Sequence, residues 1–332
     1  MNEFPPRLKI GTRGSPLAMV QAETVCAELQ KKHADLQVEI VKIKTSGDWR
    51  PEDGENRLAE SEGGKGLFAK EIERALLDGE IDAAVHSMKD MDSVLPDGLM
   101  IDHMLPREDV RDAMLFSNEI KELAKDSQFD LLDFSHLHEG AMVGTASVRR
   151  EAFLRNVRPD LCFSPMRGNV GTRIEKVRRE TSEQKFDCTL LAMAGLKRLG
   201  LEAAADFIFA PEALLPAAGQ GAVGIEVRAD DEDVLAIISQ ISCETTVACV
   251  KAEREVLRVL DGSCHTPIAA YAILQDGVLW LRAKVVSLDG TESFEDEIRE
   301  NVSNIEDAQA FGRELGERLK AQIPGEILGH AA

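Results

Sequence analysis

The stretch Leu8-Lys9-Ile10-Gly11-Thr12-Arg13-Gly14-Ser15-Pro16 contains the change of pattern that decides the fold. Its first four residues predict a short strand. Ser15 and Pro16 then predict a helix start, because serine is a preferred N-cap and proline fits the first helical position. We expect this helix to continue to about Lys32. A strand, a polar loop and a helix in this order are typical of an α/β domain with ligand-binding loops at the strand ends.

The same alternation continues along the chain. Strands are predicted at 38–43 and 81–85, and residues 66–78 carry a helical apolar stripe that ends at Gly79. A second unit of this kind is predicted from about residue 110 to residue 215. Its strands are expected at 141–144 and 188–193, and its helices near Ser147 and Val170. The polar segment 119–140 is expected to be a long excursion on the surface.

The pattern changes after about residue 242. Residues 271–274 and 278–286 predict an antiparallel hairpin around Gln275-Asp276-Gly277. The sequence Ser303-x-x-Glu306 predicts a capping box for a last helix. The buried face of that helix is expected to contain Ala308, Phe311, Leu315 and Leu319. The C-terminal part is therefore predicted to be a small α+β domain.

An arginine-rich segment, residues 144–173, stands out in a chain of net charge −20. It contains six arginines, no lysine and only two acidic residues, Glu151 and Asp160. The arginines are Arg149, Arg150, Arg155, Arg158, Arg167 and Arg173. They surround two Gly/Ser/Thr loops that each lead into a predicted helix, and helix N-termini attract anions. Because guanidinium groups match carboxylates and phosphates, the segment predicts a site for a small polyanion.

The overall composition limits the possible partners. The chain has 332 residues and 44% hydrophobic residues, enough for two or three domains with real cores. Its pI of about 4.8 argues against a nucleic-acid partner, which needs an extended basic face. We find no signal peptide and no apolar run long enough for a membrane span. We therefore expect a cytoplasmic protein with a small anionic ligand and no membrane partner.

The six cysteines do not indicate a metal site. None form a C-x-x-C pair, and no His/Cys cluster has zinc-ligand spacing. Free thiols suit a cytosolic protein, and most cysteines are small buried hydrophobes. Cys264 differs because it lies in the polar loop Asp261-Gly262-Ser263-Cys264-His265. For this residue a core role and a reactive role are equally well supported.

Two glycine-rich stretches resemble nucleotide-binding motifs, and we reject both. Residues 219–224 fit G-x-G-x-x-G, but a strand-like sequence follows them where a dinucleotide site needs a helix. Residues 63–66 lack both the first glycine and the final Ser/Thr of a phosphate-binding loop. A flexible glycine loop that brings Lys65 to a ligand is the remaining interpretation.

The pentapeptide His86-Ser87-Met88-Lys89-Asp90 follows a buried strand, where α/β sheets place ligands. Asp90, beside Lys89 and near an arginine pocket, should be ionised. Such a carboxylate can accept N–H bonds or stabilise a cation, although a solvated salt bridge fits the same five residues. His86 fits a structural hydrogen bond better than a catalytic role.

Together these segments resemble the porphobilinogen deaminase family, also called the hydroxymethylbilane synthases. The matching segments occur in the family's order between about residues 8 and 285. They are 11–18, 63–68, 85–90, 167–173, 194–200 and 219–226.

The resemblance implies two α/β domains with the fold of type II periplasmic binding proteins, and a small C-terminal α+β domain. The first domain is expected at 1–109 and 216–240, the second at 110–215 and the third at 241–332. The implied cofactor is dipyrromethane, bound covalently to Cys264. The implied reaction joins four porphobilinogen molecules head to tail, releases ammonia at each step, and ends with hydrolytic release of hydroxymethylbilane. A monomer is expected.

The resemblance also assigns roles to single residues. The cofactor-binding positions are Lys89, Asp90, Thr145, Ser147, Arg149 and Arg150, and Asp90 is also catalytic. The substrate-binding positions are Arg13, Ser15, Lys65, Arg167 and Arg173. These roles agree with the chemistry, because porphobilinogen carries two carboxylates and becomes a cation when ammonia leaves. The alternative is a two-lobed anion-binding protein without catalysis, which would need the arginines but neither Cys264 nor Asp90.

Overall fold

The computed structural model describes residues 7–46, 69–125, 134–179, 185–260 and 266–328. In chain order, the strands of these residues are β1 (Arg7–Arg13), β2 (Gln37–Ile43), β3 (Ala83–Ser87), β4 (Leu99–Met104), β5 (Asp112–Phe116), β6 (Met142–Gly144), β7 (Cys162–Ser164), β8 (Cys188–Ala192), β9 (Phe207–Ile208), β10 (Val223–Arg228), β11 (Ile268–Gln275), β12 (Val278–Val286) and β13 (Ser293–Asn301). The α-helices are α1 (Pro16–Lys32), α2 (Lys70–Leu77), α3 (Asn118–Lys125), α4 (Val148–Val157), α5 (Val170–Arg178), α6 (Met193–Arg198), α7 (Glu232–Ser239), α8 (Glu244–Val259) and α9 (Ile305–Lys320).

The first sheet has five strands in the order β2-β1-β3-β10-β4. Its strands β1, β2 and β3 are parallel, whereas β10 is antiparallel to both of its neighbours. One face packs against α1 and α7, where Ile10 lies in a cluster with Val25 and Ile237. The opposite face packs against α2, where Ile72 and Leu76 join one cluster. The alternating side chains of a strand thus reach two separate cores.

The second sheet repeats this arrangement with the order β7-β6-β8-β5-β9. Here β6, β7 and β8 are parallel, and β5 is antiparallel to β8 and to β9. Phe153 of α4 lies in the core of one face, and Val177 of α5 lies in the core of the other. Two sheets of this kind agree with the predicted fold class, two type II periplasmic-binding-protein-like α/β units.

The third sheet is antiparallel, in the order β11-β12-β13, and packs against α8 and α9. Its first hairpin turns at Asp276 and Gly277, whose φ angles are 51° and 77°. Positive φ at both turn residues is the geometry that Asp-Gly favours. The helices α8 and α9 approach closely, because a Cβ on Gly312 would lie 2.2 Å from the Ala252 oxygen. The predicted C-terminal α+β unit is confirmed.

One local prediction was wrong, and two were right only in part. The segment 119–140, of which residues 126–133 lie outside the described part, begins as helix α3, and its Ile120 and Leu137 are buried. Most of its other described residues are exposed, as expected for a surface segment. The last helix is capped by Asn304, not by Ser303, since Asn304 accepts a 2.8 Å bond from the Asp307 amide. Asp307, rather than the predicted Glu306, supplies the acidic side chain, and it accepts from the Ser303 amide just before the cap. On that helix Ala308, Leu315 and Leu319 are buried as predicted, whereas Phe311 is only partly buried against the same core.

The domain boundaries stay a prediction. The strands of the three sheets come from 7–104 together with 223–228, from 112–208, and from 268–301. Among the described residues, no single helix has the length and apolar composition needed to cross a bilayer. Only α7 and α8 taken together, with a 112° bend between them, meet that criterion.

Candidate active site

The predicted site residues of the first sheet follow strands β1 and β3. Arg13 ends β1, and Ser15 caps α1 by accepting a 3.3 Å bond from the Ala18 amide. Lys89 and Asp90 lie in a single 3₁₀ turn directly after β3. Because β1 and β3 are parallel, the ends of both strands lie on the same edge of the sheet. These loops therefore lie at the carboxyl edge of the sheet, where α/β folds place ligands, and their role in binding stays a prediction.

The site residues of the second sheet lie at the start of α4. Ser147 is the N-cap and accepts a 3.4 Å bond from the Arg150 amide. Thr145 is buried, and its hydroxyl accepts a 3.1 Å bond from the Ser147 amide. This turn fixes the backbone that carries Arg149 and Arg150 on the first turn of the helix.

Arg149 and Arg150 both bind one buried carboxylate, Asp112 at the start of β5. Arg149 Nη2 donates to Asp112 Oδ2 at 2.6 Å, and Arg150 Nη2 donates to Asp112 Oδ1 at 2.7 Å. Main-chain oxygens hold the other sides of the two guanidinium groups: Leu215 accepts from Arg149 at 2.7 Å and Leu190 accepts from Arg150 at 2.8 Å. Burial by itself would raise the pKa of Asp112, but the two guanidinium groups hold that pKa well below its usual range.

Lys89 electrostatically connects the loops of both sheets. Burial is the first cause that lowers the pKa of Lys89, to about 8, and Arg150 and Arg173 lower it further. Asp90 and Asp112 act in the opposite direction. A contact supports this link, because a Cβ on Gly219 would lie 3.2 Å from the Lys89 amide nitrogen. The next residue, Gln220, donates to Asp112, the carboxylate that binds both arginines of α4.

The second arginine loop, residues 167–173, is built by its own backbone and caps α5. Asn169 is the N-cap and accepts a 2.9 Å bond from the Thr172 amide. Arg173 Nε donates to the Gly168 oxygen at 2.8 Å, and Lys176 donates to the Arg167 oxygen at 2.9 Å. Gly168 has a φ of +115°, a backbone conformation that favours glycine, so this sharp turn requires a glycine at position 168.

The starts of α1, α5 and α6 meet at one point. A Cβ on Gly195 would lie 3.6 Å from Leu17 Cδ2 and 3.8 Å from Val170 Cγ2. Ser15 is two residues from Leu17, and Arg173 is three residues from Val170. The structure therefore brings together the predicted substrate-binding loops of the two sheets.

Two further sets of contacts hold the chain before and after Asp90. His86 Nε2 lies 2.9 Å from Glu226 Oε2 in a buried pair, the structural hydrogen bond expected for this histidine. Arg254 of α8 donates to the Met91 oxygen at 3.1 Å and also to the Asp92 oxygen. The residues directly after Asp90 are thus bound by a helix of the third unit.

Lys65 and Cys264 lie outside the described residues, so their predicted roles stay predictions. Five of the six cysteines are described, and each is free. Three of them, Cys26, Cys188 and Cys249, are buried, as expected for small hydrophobes.

Asp112 and Gln220 were not predicted from the sequence. Gln220 is fully buried and donates from Nε2 to Asp112 Oδ1 at 3.0 Å. A signal for Asp112 was present, because Arg111-Asp112 directly precedes the apolar run 113–116 of β5. A charge at the start of a buried strand needs a partner, and the arginine-rich segment was the obvious source.

The chain matches two family models. Residues 8–236 match the porphobilinogen deaminase, dipyromethane cofactor binding domain, and residues 247–321 match the porphobilinogen deaminase, C-terminal domain.

Relatives match over almost the whole chain. Porphobilinogen deaminase of Sorangium cellulosum (strain So ce56) is 41% identical over 318 residues, which are 96% of this chain and 99% of the relative. Porphobilinogen deaminase of Syntrophomonas wolfei is 43% identical over 321 residues, 97% of each chain. Among solved structures, the periplasmic aliphatic sulphonate binding protein SsuA from Escherichia coli aligns with a TM-score of 0.40 and 14% identity, covering 76% of this chain and 70% of that protein.

Proposed function

Because the chain belongs to the porphobilinogen deaminase family, we propose that the loops carrying Asp90, Arg149, Arg150 and Arg173 form its active site. The reaction itself is that of the family. The enzyme is a transferase that condenses four porphobilinogen molecules head to tail, releases ammonia at each step and then hydrolyses the product to free hydroxymethylbilane. Its cofactor is dipyrromethane.

The observation that supports this site best is the meeting of α1, α5 and α6 at Gly195, and the electrostatic environment of Lys89 agrees with it. The pKa of its ammonium group falls to about 8 because of burial and of Arg150 and Arg173, while Asp90 and Asp112 oppose that change. Residues that the resemblance assigned to the cofactor, the substrate and catalysis thus share one electrostatic environment around Lys89. A shared field of this kind is expected where a polyanion and a developing cation must be bound together.

The residues present fit dipyrromethane. Among the described residues, hydrogen bonds use two of the five N–H groups of Arg149 and three of those of Arg150. Further N–H groups are thus available for the carboxylates that every pyrrole unit carries. Gln220 Oε1 is buried and has no partner among the described residues, so an acceptor also lies beside this pair.

We assign the cofactor carboxylates to Arg149, Arg150, Thr145, Ser147 and Lys89, and the covalent bond to Cys264. When bound, dipyrromethane supplies the pyrrole carbon on which the chain grows. The substrate end is assigned to Arg13, Ser15, Arg167, Arg173 and Lys65. Support for this division comes from position. The first set lies in the turn after β3 and at the start of α4. The described members of the second set lie near the starts of α1 and α5.

Asp90 is assigned the catalytic role. When ammonia leaves porphobilinogen, the carbon–nitrogen bond breaks, nitrogen takes the electron pair, and positive charge spreads over the pyrrole ring. A fixed carboxylate stabilises this charge most strongly as it develops. Arg254 holds the chain just after Asp90, so the carboxylate stands on a supported turn.

The remaining expectations are also proposals. We propose a cytoplasmic monomer without a nucleic-acid or membrane partner, supported by the net charge of −20. We also propose domains at 1–109 with 216–240, at 110–215 and at 241–332. Light scattering during size-exclusion chromatography tests the monomer, and limited proteolysis tests the domain boundaries.

Intact-mass spectrometry tests the site and separates the enzyme from the anion-binding alternative. Denatured protein taken after brief exposure to porphobilinogen should show a series of discrete covalent additions. The Arg173→Leu variant should show a shortened series. An unmodified mass in denatured protein, with porphobilinogen bound only in the native state, would favour the anion-binding alternative.

A further inference from the structure

The buried carboxylate of Asp112 is the centre of a hydrogen-bond network, here called the node, that also contains Arg149, Arg150 and Gln220. The family comparison does not explain this network. Asp112 is 0% exposed, and it accepts bonds from two guanidinium groups that are adjacent in sequence. Arg150 Nε adds a further bond to Oδ1 at 3.2 Å. Arg149 and Arg150 are themselves 6% exposed. Two buried positive charges side by side would repel each other, so the carboxylate between them allows both to be buried.

Gln220 fixes the orientation of this carboxylate. Its Nε2 donates to Asp112 Oδ1 at 3.0 Å and to the Val110 oxygen at 2.7 Å. Both partners are acceptors, so the amide nitrogen must face them. The Gln220 backbone is held as well, because its oxygen accepts a 2.9 Å bond from Arg107 Nε. Asp112 therefore cannot rotate without breaking bonds to a residue from another part of the chain.

The node leaves the two guanidinium groups with little freedom to rotate. Each is bound by Asp112 and by a main-chain oxygen, of Leu215 for Arg149 and of Leu190 for Arg150. A guanidinium is planar, so two anchoring directions determine where its other N–H groups point. Donors fixed before the ligand arrives bind it with a smaller loss of side-chain entropy.

We propose that Asp112 and Gln220 are positioning residues of the condensation reaction. Asp112 orients Arg149 and Arg150 for the cofactor carboxylates, and Gln220 orients Asp112. Neither residue needs to touch the reacting atoms. This inference rests on the proposed assignment of Arg149 and Arg150 to cofactor binding.

The test uses Gln220→Met, which keeps the side-chain length and removes the amide donor. Gln240→Met is the matched control, since it makes the same change at an exposed position at the end of α7. Each full-length variant is prepared as apoprotein in cells unable to make porphobilinogen, and folded protein is isolated by size exclusion. Porphobilinogen is then added, and intact mass gives the fraction that acquires the cofactor. Thermal melting of the same samples gives the stability.

We expect Gln220→Met to need about tenfold more porphobilinogen for half-maximal cofactor loading, the effect of losing one hydrogen bond to a charged group. Gln240→Met should load like the wild type. Asp112→Asn should load still less, because the new amide nitrogen is a donor that faces other donors. Added porphobilinogen should not restore its loading.

The outcomes separate this inference from the site assignment. Normal loading of Gln220→Met together with poor loading of Arg150→Leu would overturn the positioning role alone. Normal loading of Arg149→Leu and Arg150→Leu would instead overturn the assignment of the arginines. If Gln220→Met and Asp112→Asn gave no folded protein, or melted early but loaded normally, the node would be structural and the positioning role would be wrong.

Discussion

Glu253 binds Arg107 through two hydrogen bonds of 2.6 and 3.0 Å, and this pair joins the third unit to the segment that connects the first two sheets. Glu253 is fully buried in α8 and also accepts bonds from the Gly219 amide at 2.7 Å and the Ala272 amide at 2.8 Å. One carboxylate thus binds three parts of the chain. Two are the segments that connect the first two sheets, at residues 107 and 219, and the third is strand β11.

The first prediction concerns the stability that this carboxylate provides. Glu253→Gln should lower the free energy of unfolding by about 3–5 kcal/mol, because it leaves the buried Arg107 guanidinium without its counter-charge. Glu255→Gln on the same helix is the control. Its partners Arg258 and Arg313 are 43% and 50% exposed, so the loss should stay below about 1 kcal/mol. Urea unfolding followed by circular dichroism measures both, and equal effects would contradict the prediction.

The second prediction is that Asp90→Asn keeps the fold and nearly stops turnover. Asparagine has the same size but lacks the charge that stabilises the cation formed when ammonia leaves. The rate should fall by about 10²–10³, equivalent to roughly 3–4 kcal/mol. Single-turnover release of ammonia from porphobilinogen is the measurement. Asp97→Asn, an exposed change in the following loop, should react at the wild-type rate. Equal rates for the two variants would show that Asp90 only forms a salt bridge.

The third prediction divides the arginines by role. Arg149→Leu and Arg150→Leu should give mostly apoprotein, because they remove carboxylate-binding donors at the start of α4. Arg173→Leu should keep the cofactor but stall elongation. Each lost charge-assisted bond should weaken binding by about 1.5–3 kcal/mol. Arg179→Leu, an exposed change at the end of α5, is the control. If all three site variants gave the same mass distribution, the arginines would act as one undivided site.

The fourth prediction concerns pH. The pKa of Lys89 lies at about 8, below its usual 10.5, so Lys89 is cationic below pH 8 and neutral above it. Its attraction for the cofactor carboxylates should therefore weaken as the pH rises through this value, and the cofactor should be held less firmly for reaction with substrate. We expect kcat/KM to fall about tenfold more for the wild type than for Lys89→Arg between about pH 7 and pH 9.5, since arginine stays charged. Parallel pH profiles would exclude Lys89 from anion binding.

Local features of the fold were predictable from sequence, because they depend on neighbours along the chain. Ser15 with Pro16, and Asp276 with Gly277, sit where their residue types predicted a cap and a turn. The last helix shows the limit of this reasoning. Ser303 and Asn304 are both good caps, and only the packed structure selects Asn304.

The candidate site was predictable where single loops carry it and not where distant segments meet. The loops at Asp90 and at 167–173 could be read as ligand-binding because strand, turn and helix signals are contiguous. Asp112 lies 37 residues before Arg149, and Gln220 lies 108 residues after Asp112. No local pattern encodes such a meeting, and only the charge imbalance of the arginine segment hinted that a buried acid was needed.

Peptide mapping of the purified enzyme tests most directly whether this chain performs the condensation on a covalent cofactor. Protein from cells that make porphobilinogen should be digested and each cysteine peptide weighed. We predict that the peptide with Cys264 carries two linked pyrroles, and that the peptides with Cys162 and Cys243 are unmodified. An unmodified Cys264 in protein that still releases ammonia and hydroxymethylbilane would contradict it.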